Sequence, residues 1–301
     1  MVGDKASEPH SGVMRTLVFL LASTAGLHCS GCTVSDALAM PGSSQVESTL
    51  DVRYHLEGAR ALHVDVHRLK TRSPVVVYVH GGGWSRGERP SRDAFARWFA
   101  MGFSVVAVEY RLSGEAPAPA AVRDVVCALG FLKRKGTSLG LDARQVVVEG
   151  GSAGAHLAML AVAAAGDREF DAGCGPIPRV SAVVDRFGIT DLPNWHPPSG
   201  AVARWLGPRA GDEEWMRRLS PLVRIKEGMP PLFIVHGDAD RTVPIEQSRR
   251  LHDRALALGV PVALHVVPGG GHGGFSDAQE MRITASLAAF LQVNGASARK
   301  N

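Results

Sequence analysis

The stretch VVVEGGSAGAHLAML, residues 146–160, joins a valine run to a run of helix formers through a turn made of tiny residues. A short, continuous β-branched run is the pattern of a strand buried on both faces. The Ala, Leu and Met residues that follow are strong helix formers. Gly150-Gly151-Ser152-Ala153-Gly154 at the junction fits G-x-S-x-G. A serine on such a sharp strand-to-helix turn needs a strained backbone, and its neighbours must be small so that strand and helix can approach. The turn exposes the Ser152 hydroxyl, and the helix N-terminus behind it favours developing negative charge. Outside this setting G-x-S-x-G is a common pattern, and a glycine-rich turn with an idle serine would be the duller explanation.

Working outward, the same punctuation recurs. DVRYHL (51–56) and ALHVDVHRL (61–69) read as a hairpin, and VVVYVH (75–80) as a fully covered strand. A helix is expected near 91–101, a strand at 104–110 and a helix from Ala118 to Lys135. The strand at 145–150 and a helix at 153–165 follow, then strands at 179–187 and 231–237. A helix from Pro244 to about Leu258, a strand at 261–268 and a helix near 277–293 close the series. Strands alternating with helices imply a mostly parallel sheet flanked on both faces, with the leading hairpin as a mixed edge. Between residues 188 and 230 the alternation lapses into a stretch holding Trp195, Trp205 and Trp215, which reads as a cap insertion. Those tryptophans either line a pocket or pack the cap.

Ligands of parallel sheets bind beyond the carboxyl ends of the strands, so the loops there carry the candidates. HGGGW (80–84) follows one strand directly, and consecutive glycines can turn N–H groups toward a single point, as an oxyanion demands. A phosphate loop is the competing use, but no Gly-Lys-Ser/Thr follows. Gly82, Gly83 and Ala153 are the candidate donors, with Trp84 a possible substitute, and His80 is expected to brace the loop. HGDADRTVP (236–244) offers Asp238 and Asp240 as carboxylates able to orient an imidazole. Of the twelve histidines, only His252, His265 and His272 follow them. His252 falls in an expected helix and His265 in a strand, whereas His272 sits in a glycine loop and is free to swing toward Ser152.

Taken jointly, these motifs resemble the α/β-hydrolase superfamily. Within it they are most similar to the feruloyl-esterase/kynurenine-formamidase-like and hormone-sensitive-lipase-like carboxylesterases. The resemblance runs from about residue 50 to 293 through HGGGWSRG, EYRLSGEAPAPAAVRDV, GGSAGAHLAML, FGITDL and HGDADRTVP. It implies an α/β-hydrolase fold, a catalytic triad of Ser152, Asp240 and His272, and cleavage of small to medium acyl or aryl esters. Asp240, three residues before Val243, matches the family's acidic member, which selects it over Asp238. No metal or organic cofactor is required. Amide cleavage of the aryl-formamidase or exopeptidase kind, and a non-catalytic binding protein of the same fold, are the alternatives. The chain departs from the lipase-like group in its short run ahead of the first strand and in carrying Gly151 where aspartate is usual. Both departures lean toward the feruloyl-esterase-like side and a shallower site.

Composition sets the remaining bounds. The 301 residues are 45% hydrophobic and 21% charged, which suits one large α/β domain or two small ones. The net charge of +4 comes from interleaved basic and acidic residues without a basic block, so nucleic acid is not an expected partner. Residues 1–39 read as a targeting segment and 40–301 as the hydrolase domain. From Met14, one basic residue precedes an apolar stretch from Leu17 to Leu27, the layout of a secretory signal and too short to span a membrane. Cleavage after Ala39, releasing Met40, and lipidation at Cys29 or Cys32 are both open. Either exit implies export, with membrane attachment only through a lipid. Cys29 and Cys32 also spell CxxC, but beside an apolar signal core a redox or metal role is the weaker interpretation. Pairing of Cys127 with Cys174 needs Cα atoms within about 7 Å, which sequence does not decide.

Three further groups have duller explanations than chemistry. His63, Asp65 and His67 alternate along one strand face, which suits a metal or simply a polar outer face, and the outer face is expected. Asp185 and Asp191 suit turn and capping work. His156, one helical turn beyond Ser152, is expected to pack.

Overall fold

Residues 45–171, 173–195 and 200–298 are described by the computed structural model. The signal-like segment, with Cys29, Cys32, Ala39 and Met40, lies outside the described residues. The valine runs do form the interior of a sheet. Its strands are β1 (Val46–Glu57), β2 (Arg60–Leu69), β3 (Pro74–Val79), β4 (Ser104–Val108), β5 (Asp142–Gly151), β6 (Val180–Arg186), β7 (Leu232–Gly237) and β8 (Val262–Val267). They lie in the order β1-β2-β4-β3-β5-β6-β7-β8. β1 with β2 and β2 with β4 are antiparallel, and every pairing from β4 to β8 is parallel. This is the mostly parallel sheet with a mixed edge that the alternation implied.

Because side chains alternate across a strand, each central strand feeds two cores. Val75, Val77, Val79, Val146 and Val148 enter one, while Val76, Val105, Val147 and Val184 enter the other. The first core is covered by α2 (Ala120–Lys135), α3 (Ala153–Ala163) and α7 (Glu246–Ala257), the second by α1 (Ala96–Ala100) and α8 (Asp277–Val293). All eleven residues of α3 are buried, and apart from His156 its sequence is apolar or glycine on every side rather than amphipathic. The helix expected at 91–101 is split into a 3₁₀ turn, Arg92–Phe95, and the short α1.

Among the described residues, 188–230 carry three short α-helices and a 3₁₀ turn, Gly207–Arg209, between β6 and β7; the α-helices are α4 (Gly200–Leu206), α5 (Glu213–Arg218) and α6 (Pro221–Arg224). Trp195, Trp205 and Trp215 are all buried in the first core, and Trp205 stacks on Trp84 at 4.8 Å. The tryptophans pack. Cys127 on α2 forms a disulfide with Cys174, with Cα atoms 5.0 Å apart.

The polar outer face expected at His63, Asp65 and His67 is corrected. β2 lies inside the sheet between β1 and β4, and Asp65 and His67 are buried, as are Leu62, Val64 and Val66 opposite. The polar side chains are spent on separate partners. Asp65 accepts from Arg89 at 2.6 Å, His67 Nδ1 pairs with Ser48 Oγ at 2.8 Å, and His63 Nδ1 lies 3.2 Å from Glu109.

Candidate active site

The order of the sheet brings the candidate loops together. The chain leaves β3 to form β4 on one side and returns to form β5 on the other, and such a reversal opens a crevice at the strand ends. β3 and β5 are paired in register, Val79 opposite Gly150, so the loop after β3 emerges beside the turn after β5. The approach is close. A methyl group on Gly154 would stand 2.2 Å from the Val79 carbonyl oxygen, and one on Gly81 would stand 2.8 Å from that of Gly151. Neither position tolerates a side chain.

Ser152 sits at the turn with φ 55° and ψ −124°, strained for a non-glycine residue. Its N–H donates to the Arg186 carbonyl at 2.9 Å, tying the turn to the end of β6. Its Oγ lies 2.8 Å from His272 Nε2. His272 Nδ1 lies 2.7 Å from Asp240 Oδ2. Since a carboxylate can only accept, the Nδ1 carries the proton, which leaves Nε2 bare to accept from the serine hydroxyl. The three residues come from the ends of β5, β7 and β8, and the structure unites them.

Asp240 has a fully buried side chain and uses both oxygens. Oδ1 accepts the N–H groups of Thr242 and Val243 at 2.8 and 2.9 Å. Oδ2 receives His272 and also faces His236 Nε2 at 3.2 Å. Burial pushes the carboxyl pKa up, but the hydrogen bonds from His236, His272, Val243 and Thr242 outweigh it and hold the group well below the usual carboxylate range. The carboxylate is thus fixed and ionised. Asp238 takes the turn role instead, accepting from the Gly269 N–H at 2.7 Å while exposed.

In the loop after β3, Gly82 and Gly83 hold φ of 109° and 60°, and Trp84 follows at 56°. Among the described residues the N–H groups of Gly82 and Gly83 have no acceptor. Ala153 opens α3, whose first turn carries no acidic residue. His80 braces the loop as expected. Its Nδ1 bonds the Gly81 carbonyl at 2.9 Å, its ring stacks on Tyr110 at 4.2 Å, and burial lowers its pKa. His156 packs. Its Nε2 donates to the Leu219 carbonyl at 2.8 Å, and its Nδ1 accepts from Trp84 Nε1 at 3.3 Å. Asp185 Oδ1 accepts the Gly188 N–H at 2.7 Å, and Asp191 accepts from Asn194 and Arg250. A cleft of about 940 Å³ at the opposite end of the sheet, rimmed by Arg72, Arg144 and Arg179, includes none of the site residues.

Two residues at the site escaped sequence reasoning. His236 touches Asp240, and Phe187 packs on His272 with ring centroids 4.8 Å apart. A histidine inside the apolar run PLFIVHG was a visible signal for the first. Phe187 gave none beyond its place in FGITDL.

A parallel sheet with this turn, and with serine, imidazole and carboxylate in line at its carboxyl edge, defines an α/β-hydrolase. The chain belongs to the BD-FAE family, whose model matches residues 64–255. Among curated proteins it is similar to Esterase LipC of Mycobacterium tuberculosis, with 30% identity over 213 residues covering 67% of this chain and 53% of LipC. The chain spans about half the length of the curated relatives it matches. Among solved structures it is similar to the butyrate-bound thermophilic esterase Est2 of Thermogutta terrifontis. That pair shares 25% identity and a TM-score of 0.71, covering 87% of this chain and 98% of Est2. A truncated carbohydrate esterase from gut microbiota shares the fold at a TM-score of 0.74 and 24% identity, covering 85% of this chain and 99% of that one.

Proposed function

We propose that the chain is a serine carboxylesterase acting on small to medium acyl or aryl esters through an acyl-enzyme. The observation that carries the reading is the unbroken line from Ser152 Oγ through His272 to Asp240. Ser152 attacks the ester carbonyl carbon while its proton passes to His272 Nε2, and Asp240 stabilises the resulting imidazolium. The negative oxygen of the tetrahedral intermediate is met by the N–H groups of Gly82, Gly83 and Ala153. Collapse breaks the bond to the alcohol, whose oxygen takes the proton from His272. Water then repeats the cycle, giving its proton to His272, and the carboxylic acid leaves as Ser152 recovers its own. The naming of LipC and Est2 as esterases, the latter with butyrate bound, supports an ester of modest acyl length.

Export is part of the same reading. It is supported by the signal-like run from Leu17 to Leu27 and by the Cys127–Cys174 disulfide, a bond that persists in oxidising compartments.

Purified protein should hydrolyse p-nitrophenyl butyrate, and Ser152→Ala should abolish turnover without loss of fold. A folded Ser152→Ala protein that retains wild-type activity would refute the assignment.

A further inference from the structure

Four non-glycine residues of the described chain hold φ in the left-handed region: Asp51, Trp84, Ser152 and Phe187. Asp51 lies at a register shift in β1. Trp84 closes the glycine loop, and Ser152 is the turn itself. Phe187, at φ 47°, has no part in the chemistry proposed above. For a bulky residue this conformation costs on the order of 1–2 kcal/mol, so something must hold it there.

Its surroundings show what the strain achieves. Gly151 pairs with Arg186, so Phe187 emerges from β6 directly beside the nucleophile turn. Its N–H donates to the Val235 carbonyl at 2.7 Å, anchoring the bend to β7. The ring then lies in a slot between two glycines. A methyl group on Gly151 would stand 3.4 Å from the ring, and one on Gly273 would stand 3.1 Å from it. The His272 imidazole packs on one side at 4.8 Å, tilted by 60°, and Phe275 meets the ring edge-on at 5.9 Å. Phe187 is only partly buried and belongs to neither core.

His272 stands in a run of glycines, 269–271 before it and 273–274 after it, which offers the imidazole no side chain of its own to lean on. Its hydrogen bonds to Asp240 at 2.7 Å and Ser152 at 2.8 Å hold the two ring nitrogens and leave the faces of the imidazole to be supported by packing. A flat ring packed against the imidazole supplies that support.

We infer that Phe187 is a positioning residue: its strained backbone swings the phenyl ring between the nucleophile turn and the glycine loop, where it holds His272 in line with Ser152. The inference rests on the serine-esterase reading.

The test compares wild type with Phe187→Gly, Phe187→Ala and Phe187→Tyr on p-nitrophenyl butyrate, with kcat and KM resolved and thermal unfolding recorded. Glycine removes the ring and relieves the backbone at once, so its midpoint should match or exceed that of the alanine variant. Both should lose kcat by about 10- to 100-fold, the scale of a small misplacement of a catalytic group, with KM little changed. Tyrosine keeps the ring and should recover most of kcat. A folded Phe187→Gly protein with wild-type kcat overturns the inference, as does a tyrosine variant no better than alanine. Absence of turnover and of fluorophosphonate labelling in the wild type would overturn the esterase reading and this inference with it.

Discussion

At the scale of single residues, the site turns on Asp240 serving two imidazoles at once. His236 is fully buried, donates from Nε2 to the Val243 carbonyl at 2.9 Å, and accepts from the Ser248 hydroxyl at Nδ1 at 2.6 Å. Those bonds fix its tautomer, so a proton-bearing Nε2 also faces Asp240. The carboxylate therefore cannot rotate without breaking bonds on both oxygens, and the tautomer of His272 follows from it. Asp240→Asn replaces an acceptor with an amide that can hold the ring in the wrong tautomer. The expected loss in kcat is about 10⁴-fold, by analogy with such a change in a serine protease. Asp238→Asn, two residues away, removes only an exposed contact to Gly269 and should leave kcat within about threefold. Steady-state kinetics on the two purified variants decides between them, and a larger loss at Asp238 would reverse the assignment.

Elements are held by pairings that lie far apart in sequence. The segment between α3 and β6 has little regular structure, yet the disulfide to α2 and hydrogen bonds from Arg123 to the Glu169 carbonyl at 2.9 and 3.0 Å fasten it down. Cys127 and Cys174 are 47 residues apart, so reducing the bond should lower the unfolding free energy by about 2–4 kcal/mol through the freed loop. Urea unfolding with and without dithiothreitol measures it, and free thiols in protein recovered from outside the cytoplasm would count against the disulfide. Why some elements were readable and others not follows from the same distinction. Valine runs in β3 and β5 announce strands covered on both faces, because burial there leaves no choice of residue. The serine turn and the glycine loops were readable because close backbone approach excludes side chains. β2 was misread because alternation reports two different faces, not which of them meets solvent, and the sheet order that buries both is a long-range fact. Phe187 and His236 were missed for the same reason: their roles depend on β6 standing beside β5 and β7 beside β6, and on a dihedral angle that no residue type announces.

Across the whole molecule, His156 joins three regions distant in sequence. Its ring accepts from Trp84 of the glycine loop, grows from α3 one turn beyond Ser152, and donates to Leu219 of the 188–230 segment. Trp84 in turn stacks on Trp205 of the same segment, and His156 meets both indoles edge-on at 5.2 and 5.0 Å. A second proton on this imidazole would have to sit at Nδ1, against the indole N–H and away from water. Burial accordingly lowers the pKa to about 4 from its ordinary 6.5, against the opposing pull of the Leu219 carbonyl. Between pH 6.5 and 4 the unfolded chain binds a proton that the folded chain refuses, so stability is full above that window and falls as pH drops through it. The shift amounts to roughly 3 kcal/mol. His67 and His80, also lowered by burial, add to the slope, so a variant is needed to isolate His156. His156→Gln retains a donor and an acceptor but does not titrate. Urea unfolding from pH 7 to 4.5 should show the variant less stable at pH 7 yet losing stability less steeply, by up to about one proton in the slope. Equal slopes would mean that the imidazole is not held neutral, and that the contact joining glycine loop, nucleophile helix and insertion carries no cost of protonation.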